Sequence, residues 1–120
     1  MDKDFLAYYN ILNFLTDSTG DYFFLLDVAG EKLYIPKQLH KTLALPNTDA
    51  DYCTLPEWFG IVWPQDFARL QEGLVHALSG ISADYDAEYR VMDRTGSLLW
   101  VNFRGKVHFS SSGHPEWMMG

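Results

Sequence analysis

The order of elements predicts an α+β fold: a five-stranded antiparallel sheet with helices on one face and an N-terminal helix flanking it. Apolar residues recur at helical spacing over residues 2–17. Two short β-rich runs follow, then a block of helices, then three more strand-like runs. Strands that flank a single helical block belong to antiparallel α+β architectures. The clearest local signal is residues 87–107, where two runs rich in β-branched and aromatic residues flank Asp93-Arg94-Thr95-Gly96. That tetrapeptide holds the glycine a tight turn wants at positive φ, so the segment reads as a hairpin. At 120 residues the chain forms one domain with room for a core. Residues 1–19 are the flanking helix and residues 20–120 the domain body.

The flanking helix carries Phe5, Tyr8, Tyr9, Leu12 and Leu15 along one side, with Asp2 and Asp4 at the positive end of its dipole. Leu6, Ile11 and Phe14 widen the apolar arc beyond one buried stripe. Ser18-Thr19-Gly20 stops it. Residues 22–28 are apolar enough for a central strand, residues 29–32 turn the chain, and residues 33–35 return it. Pro36 ends that strand and opens a short helix with Leu39 and Leu43 on one side. Pro46 closes it, and residues 47–52 form a polar loop. Thr54 and Glu57 have the spacing of a capping box at the head of a helix carrying Trp58, Phe59, Ile61 and Val62. Trp63 precedes Pro64 and must leave the α region. Pro64 and Asp66 begin a longer helix with Phe67, Leu70, Leu74, Ala77 and Leu78 inward, ended by Gly80. The last three strands occupy residues 82–92, 97–109 and 116–119.

Hydrophobic residues make up 48% and aromatic residues 16% of the chain, which excludes disorder. No apolar run approaches the roughly 20 residues of a membrane span, and the chain does not start like a signal peptide. The lone Cys53 allows no internal disulfide, so a reducing, cytoplasmic setting is expected. A net charge of −7 with scattered Lys and Arg speaks against a nucleic-acid surface. His40, His76, His108 and His114 lack metal-ligand spacing, so no metal is expected.

Glu88-Tyr89-Arg90, Thr95-Gly96 and Trp100 resemble the "EYR … DG … W" signature of a PAS-domain subgroup, with Thr95 where that subgroup usually has Asp. Trp63-Pro64-Gln65-Asp66 resembles the family's "hPeD" segment, with Trp in place of the common His. The resemblance covers about residues 20–120 and implies a sensing and interaction module, not an enzyme. The family's last strand runs on into a "DIT"-like junction, which Gly120 precedes; a truncated last strand and a downstream output domain are therefore expected. In bacteria this subgroup commonly precedes diguanylate cyclase, cyclic-di-GMP phosphodiesterase or histidine kinase domains.

Cys53 lies in DADYCTLPE, unlike the "NCRFLQ" motif of flavin-binding relatives, and reads as inert. His76 sits on the long helix where haem-binding relatives place their iron ligand, but two positions from both Leu74 and Leu78, so it points outward. Neither haem nor flavin is expected. Asp84, Asp86 and Glu88 recur at period 2, which suits a solvated strand face better than an acid/base pair. No G-x-S-x-G, phosphate loop or H-E-x-x-H motif occurs.

The candidate ligand cavity lies between sheet and helices. Strand alternation directs Tyr89, Val91, Val101 and Phe103 toward it, with Phe24, Leu26, Leu39, Phe59, Phe67, Leu70 and Leu74 completing the shell. These residues either enclose a small ligand or fill a core. Tyr89 offers its hydroxyl to a ligand or to a backbone carbonyl. Trp100 falls on the opposite, outer face, where Phe5, Tyr9 and Leu12 are the expected cover, from the same chain or from the partner of a homodimer. Three readings follow: a ligand-sensing signalling module, a ligand-free dimerisation and transmission module, or a small cone-like enzyme. The last needs a carboxylate in the apolar shell, and no acidic residue is predicted there.

Overall fold

The computed structural model describes residues 7, 10, 11, 14, 15, 18, 22–46, 50–81 and 84–120. In the N-terminal segment Ala7, Asn10, Ile11, Phe14, Leu15 and Ser18 are helical. Phe5, Tyr9 and Leu12 lie outside the described residues.

Strands β1 (Leu25–Asp27) and β2 (Lys32–Tyr34) form a short hairpin. Its turn covers residues 28–31. The positive φ falls on Glu31, at 52°, rather than on Gly30. Asp27 makes this possible by accepting a hydrogen bond from the Gly30 amide through Oδ1, at 3.2 Å. Helix α1 (Lys37–Thr42) follows Pro36. The expected loop then ends in a sixth strand, β3 (Tyr52–Thr54), which pairs with β2. Thr54 caps α2 (Leu55–Ile61). Its hydroxyl accepts from the Glu57 amide at 3.2 Å, and the Thr54 amide donates to Glu57 Oε1 at 2.8 Å. Trp63 is extended, with ψ 126°, and α3 (Pro64–Leu78) starts beyond it. Gly80, at φ 85°, turns the chain away from α3.

Strands β4 (Asp84–Met92) and β5 (Leu98–Phe109) make the long hairpin, and β6 (Pro115–Met119) returns. The sheet has six strands in the order β3-β2-β1-β6-β5-β4, and every pairing between them is antiparallel. The sixth strand corrects the expected five. It was hidden because three residues offer too little alternation to distinguish a strand from a loop.

The inner face carries Leu26, Leu33, Cys53, Tyr85, Tyr89, Val91, Val107 and Met118, all buried, against Trp58 and Ile61 of α2 and Leu70 and Ala77 of α3. A second cluster sits on the opposite face. Leu25 is 0% and Tyr34 3% exposed, with Tyr52 and Trp117 packed beside them. The register explains it, because Leu25 pairs with Tyr34, and Tyr34 with Tyr52. Part of the outer face is therefore core, not a solvated surface.

Candidate functional site

The inner cavity is built around one hydrogen bond. Trp58 projects from α2 and donates through Nε1 to the Tyr89 hydroxyl on β4, at 3.0 Å. Both residues are buried, and burial pushes the Tyr89 phenol well above its ordinary range. Burial also raises Tyr85 to about 12. Phe103 of β5 closes the space, with its ring 4.6 Å from Phe24, 5.3 Å from Trp58 and 6.0 Å from Tyr89. What is left is a cavity of about 30 Å³, almost wholly apolar.

Phe24, Leu26, Phe59, Leu70, Leu74, Tyr89 and Phe103 line that cavity, as expected. Four expected residues do not. Leu39 and Val101 line a separate open groove at the far end of β5. Phe67 sits behind the wall, its ring edge-on to Phe59 at 5.2 Å. Val91 is buried at the bridge to Val62, beyond the cavity. The sequence reading omitted Leu33, Leu55, Trp58, Tyr85 and Met118 from the lining. Period-2 alternation places Tyr85 on the same face as Tyr89, so that signal was available. Leu33, Leu55 and Met118 depend on strand order and on how α2 seats, which periodicity does not encode.

The two sequence motifs meet in an ionic clamp. Asp66, in the first turn of α3, is 4% exposed. Its carboxylate accepts from the Arg90 amide at 2.9 Å, from Arg90 Nε at 2.9 Å and from Nη2 at 2.8 Å. Those bonds, with Arg69 3.7 Å away, lower Asp66 from 3.8 to about 2. The Trp63 amide donates to the Arg90 carbonyl at 2.8 Å, and Arg69 to that of Glu88 at 2.7 Å. The Arg90 guanidinium lies over the Trp100 ring at 4.8 Å. The chain thus runs from α3 through the sheet edge to the outer face. Asp66 is buried but paired, and no acidic residue lines the cavity among the described residues.

Arg94, in the β4–β5 turn, makes a second tie. It donates to the carbonyls of Lys41 and Leu45, at 2.7 and 2.6 Å, and so holds the end of α1. Beside it His40 is fully buried, with Nε2 3.2 Å from the Pro46 carbonyl. Asp93 accepts from the Thr95 hydroxyl and from the amides of Thr95 and Ser97, which lowers its carboxyl.

On the outer face Asp84 pairs with Lys106, and Asp86 with Arg104 and Asn102. These carboxylates form a cross-strand ladder rather than an acid/base pair. Acidic side chains along this edge strand also discourage pairing with another sheet. Trp100 is 60% exposed on the same face. His76 is exposed in the last turn of α3. Cys53 is buried on the inner face, where burial and the nearby Glu57 charge push its thiol up to about 12. Among the described residues no group of three or more His, Cys, Asp or Glu is placed to hold a metal ion.

A search of curated proteins returned no match. Solved structures share the fold. A sensory box histidine kinase/response regulator from Burkholderia thailandensis E264 superposes with a TM-score of 0.71 at 24% identity, over 89% of this chain and 78% of its own. The N-terminal domain of a diguanylate cyclase with PAS/PAC sensor from Marinobacter aquaeolei gives 0.69 at 21% identity, over 82% and 89%. An RNA-binding light-oxygen-voltage receptor gives 0.62 at 13% identity, over 82% of this chain but 27% of its own. The family model described as "PAS fold" matches residues 48–120, more than half of the sequence and the part that holds both the Trp63–Asp66 step and the long hairpin. The chain belongs to the PAS fold family.

Proposed function

We propose that this domain is a signal-transmission module of a bacterial signalling protein, working with a packed interior rather than a stored cofactor. The observation that carries this reading is the size of the inner cavity. It measures about 30 Å³, whereas small-molecule sites run from about 300 to 1,000 Å³. About one water fits such a space. The close packing of Trp58, Tyr89 and Phe103 supports a reading without haem or flavin. The domain itself is non-catalytic in this reading. Its outer-face carboxylates Asp84 and Asp86 are engaged in cross-strand pairs.

The partners we propose are a second copy, meeting through the N-terminal helix and the outer sheet face, and an output domain of the diguanylate cyclase, phosphodiesterase or histidine kinase kind. Among the described residues no helix is long and apolar enough to cross a membrane, and we place the module in the cytoplasm. The route for signal is the clamp from Asp66 to Arg90 to Trp100, which joins helix packing to the outer face. Any stimulus must bind two arrangements of that clamp unequally to shift it.

The Tyr89 hydroxyl supports a second reading, a small-ligand sensor. It borders the cavity, and a ligand that displaced Phe103 would meet it. Native mass spectrometry of the freshly isolated protein separates the two. The bare chain mass, with no Soret or flavin absorbance, is expected. A stoichiometric co-purifying molecule would overturn the packed-interior reading.

A further inference from the structure

β4 is the outermost strand on its side of the sheet, with β5 beside it. Its free edge is only half closed. The Arg90 amide and carbonyl point away from β5, to Asp66 and to the Trp63 amide. At period 2 the peptide groups of Glu88 and Asp86 point the same way. The Glu88 carbonyl accepts from Arg69 at 2.7 Å. Among the described residues nothing bonds the Glu88 amide or either peptide group of Asp86 on that side. α3 therefore closes the edge as far as Glu88 and leaves it open toward the start of β4.

The open part borders a groove of about 590 Å³ between strand and helix. Glu72, Gly73 and His76 of α3 form one wall, and Asp86, Ala87 and Glu88 of β4 the other. Gly73 and Ala87 carry almost no side chain, so the groove stays open between them. Its rim is acidic. Glu72 and Glu88 are exposed, and neither carboxylate has a partner among the described residues. Asp86 is largely exposed, and its pair with Arg104 at 3.7 Å is weak. Arg69, also at the rim, is already engaged with Asp66 and with the Glu88 carbonyl.

We propose that this edge docks an extended segment of a partner protein that carries two basic residues flanking a short one. Added antiparallel to β4, such a segment exchanges both peptide hydrogen bonds with Asp86 and accepts one from the Glu88 amide. Residues directly opposite each other share a face of the sheet. The basic side chains therefore lie beside Asp86 and Glu88, and the short residue between them lies beside Ala87. Trp100 borders the groove, where the methylene stem of a long basic side chain can pack. Arg69 sets the limit of the added strand, because it occupies the Glu88 carbonyl. The charge decides between occupants. A second copy of this chain, at −7, is repelled by the acidic rim, and a basic segment is attracted.

Titration of the isotope-labelled protein with a short peptide of alternating lysine and threonine tests this. Hydrogen exchange is expected to slow at the Asp86 and Glu88 amides and to stay unchanged at Arg90, whose amide Asp66 already holds. Glu72→Gln combined with Glu88→Gln should weaken the peptide by on the order of tenfold. An unchanged Arg90 amide in that variant shows that the fold is intact. A peptide methylated at the lysine backbone nitrogens keeps its charge but lacks the ladder donors, and should not protect the two amides. The proposal fails if the lysine peptide protects neither amide at saturating concentration, if the methylated version binds equally well, or if the double variant binds as tightly as the parent. It fails too if both amides are protected without peptide, by the chain itself or by a second copy at high protein concentration.

Discussion

Asp66 takes three hydrogen bonds from a single arginine, and that arrangement sets how the protein responds to acid. Its carboxyl is lowered in the fold from 3.8 to about 2. A group depressed in the folded state stabilises fully above its unfolded value, and that contribution is lost as pH falls from about 4 toward 2. Asp93, lowered chiefly by the Thr95 hydroxyl, titrates in the same direction. Urea midpoints measured from pH 7 to pH 2 should therefore fall along an acid limb. Asp66→Asn should lower the plateau above pH 4 and flatten that limb, leaving the share of Asp93. An unchanged limb would mean that Asp66 is not held by Arg90 in solution. Both residues belong to recognisable motifs, yet their union was not legible. Asp66 read only as a helix-dipole partner, because nothing local brings together residues separated by a strand and most of a helix. For the same reason Leu39 and Val101 were assigned to the wrong space. Alternation places a side chain on a face but not at a position along the sheet.

Elements whose signals are local came out nearly as read. The capping box at Thr54, the extended Trp63 and the glycines at 80 and 96 all rest on residues within a few positions of one another. β3 did not come out, since its evidence is the pairing of Cys53 with Leu33, which is a tertiary fact. The seam where β3 meets α2 depends on Thr54. Thr54→Ala removes the acceptor for the Glu57 amide and should cost about 1 kcal/mol of unfolding free energy. Thr54→Ser should recover most of it. Equal stability of the alanine and serine variants in urea would show that the β2–β3 pairing, not the cap, holds this junction.

At the scale of the whole molecule, the apolar surface is unevenly placed. Ile11 and Phe14 of the N-terminal helix are 53% and 69% exposed, and Trp100 is open on the outer face. Apolar area of this kind, buried in a second copy, stabilises association by about 25 cal/mol per Å² before ordering costs. Sedimentation of the full chain should show a dimer that deletion of residues 1–17 shifts toward monomer, with Trp100 becoming more accessible to a quencher. A full chain that stays monomeric at high concentration would rule the dimer out. The fold class and the opposed faces of β5 could be read from the sequence. The strand order could not, because it joins segments that periodicity treats as unrelated.

That order also governs how the protein is made. The middle of the sheet joins β1 to β6, the first described strand to the last, with Leu26 opposite Met118. Pairings between such distant segments carry the largest loop-closure cost and slow the approach to the native state. On a ribosome, α3 and the β4–β5 hairpin can form as soon as they emerge. β1 and the inner edge of β5 must wait for β6, the last of the described strands. During that interval the nascent domain is two half-sheets with bare edges, the state most open to mispairing with a neighbouring chain.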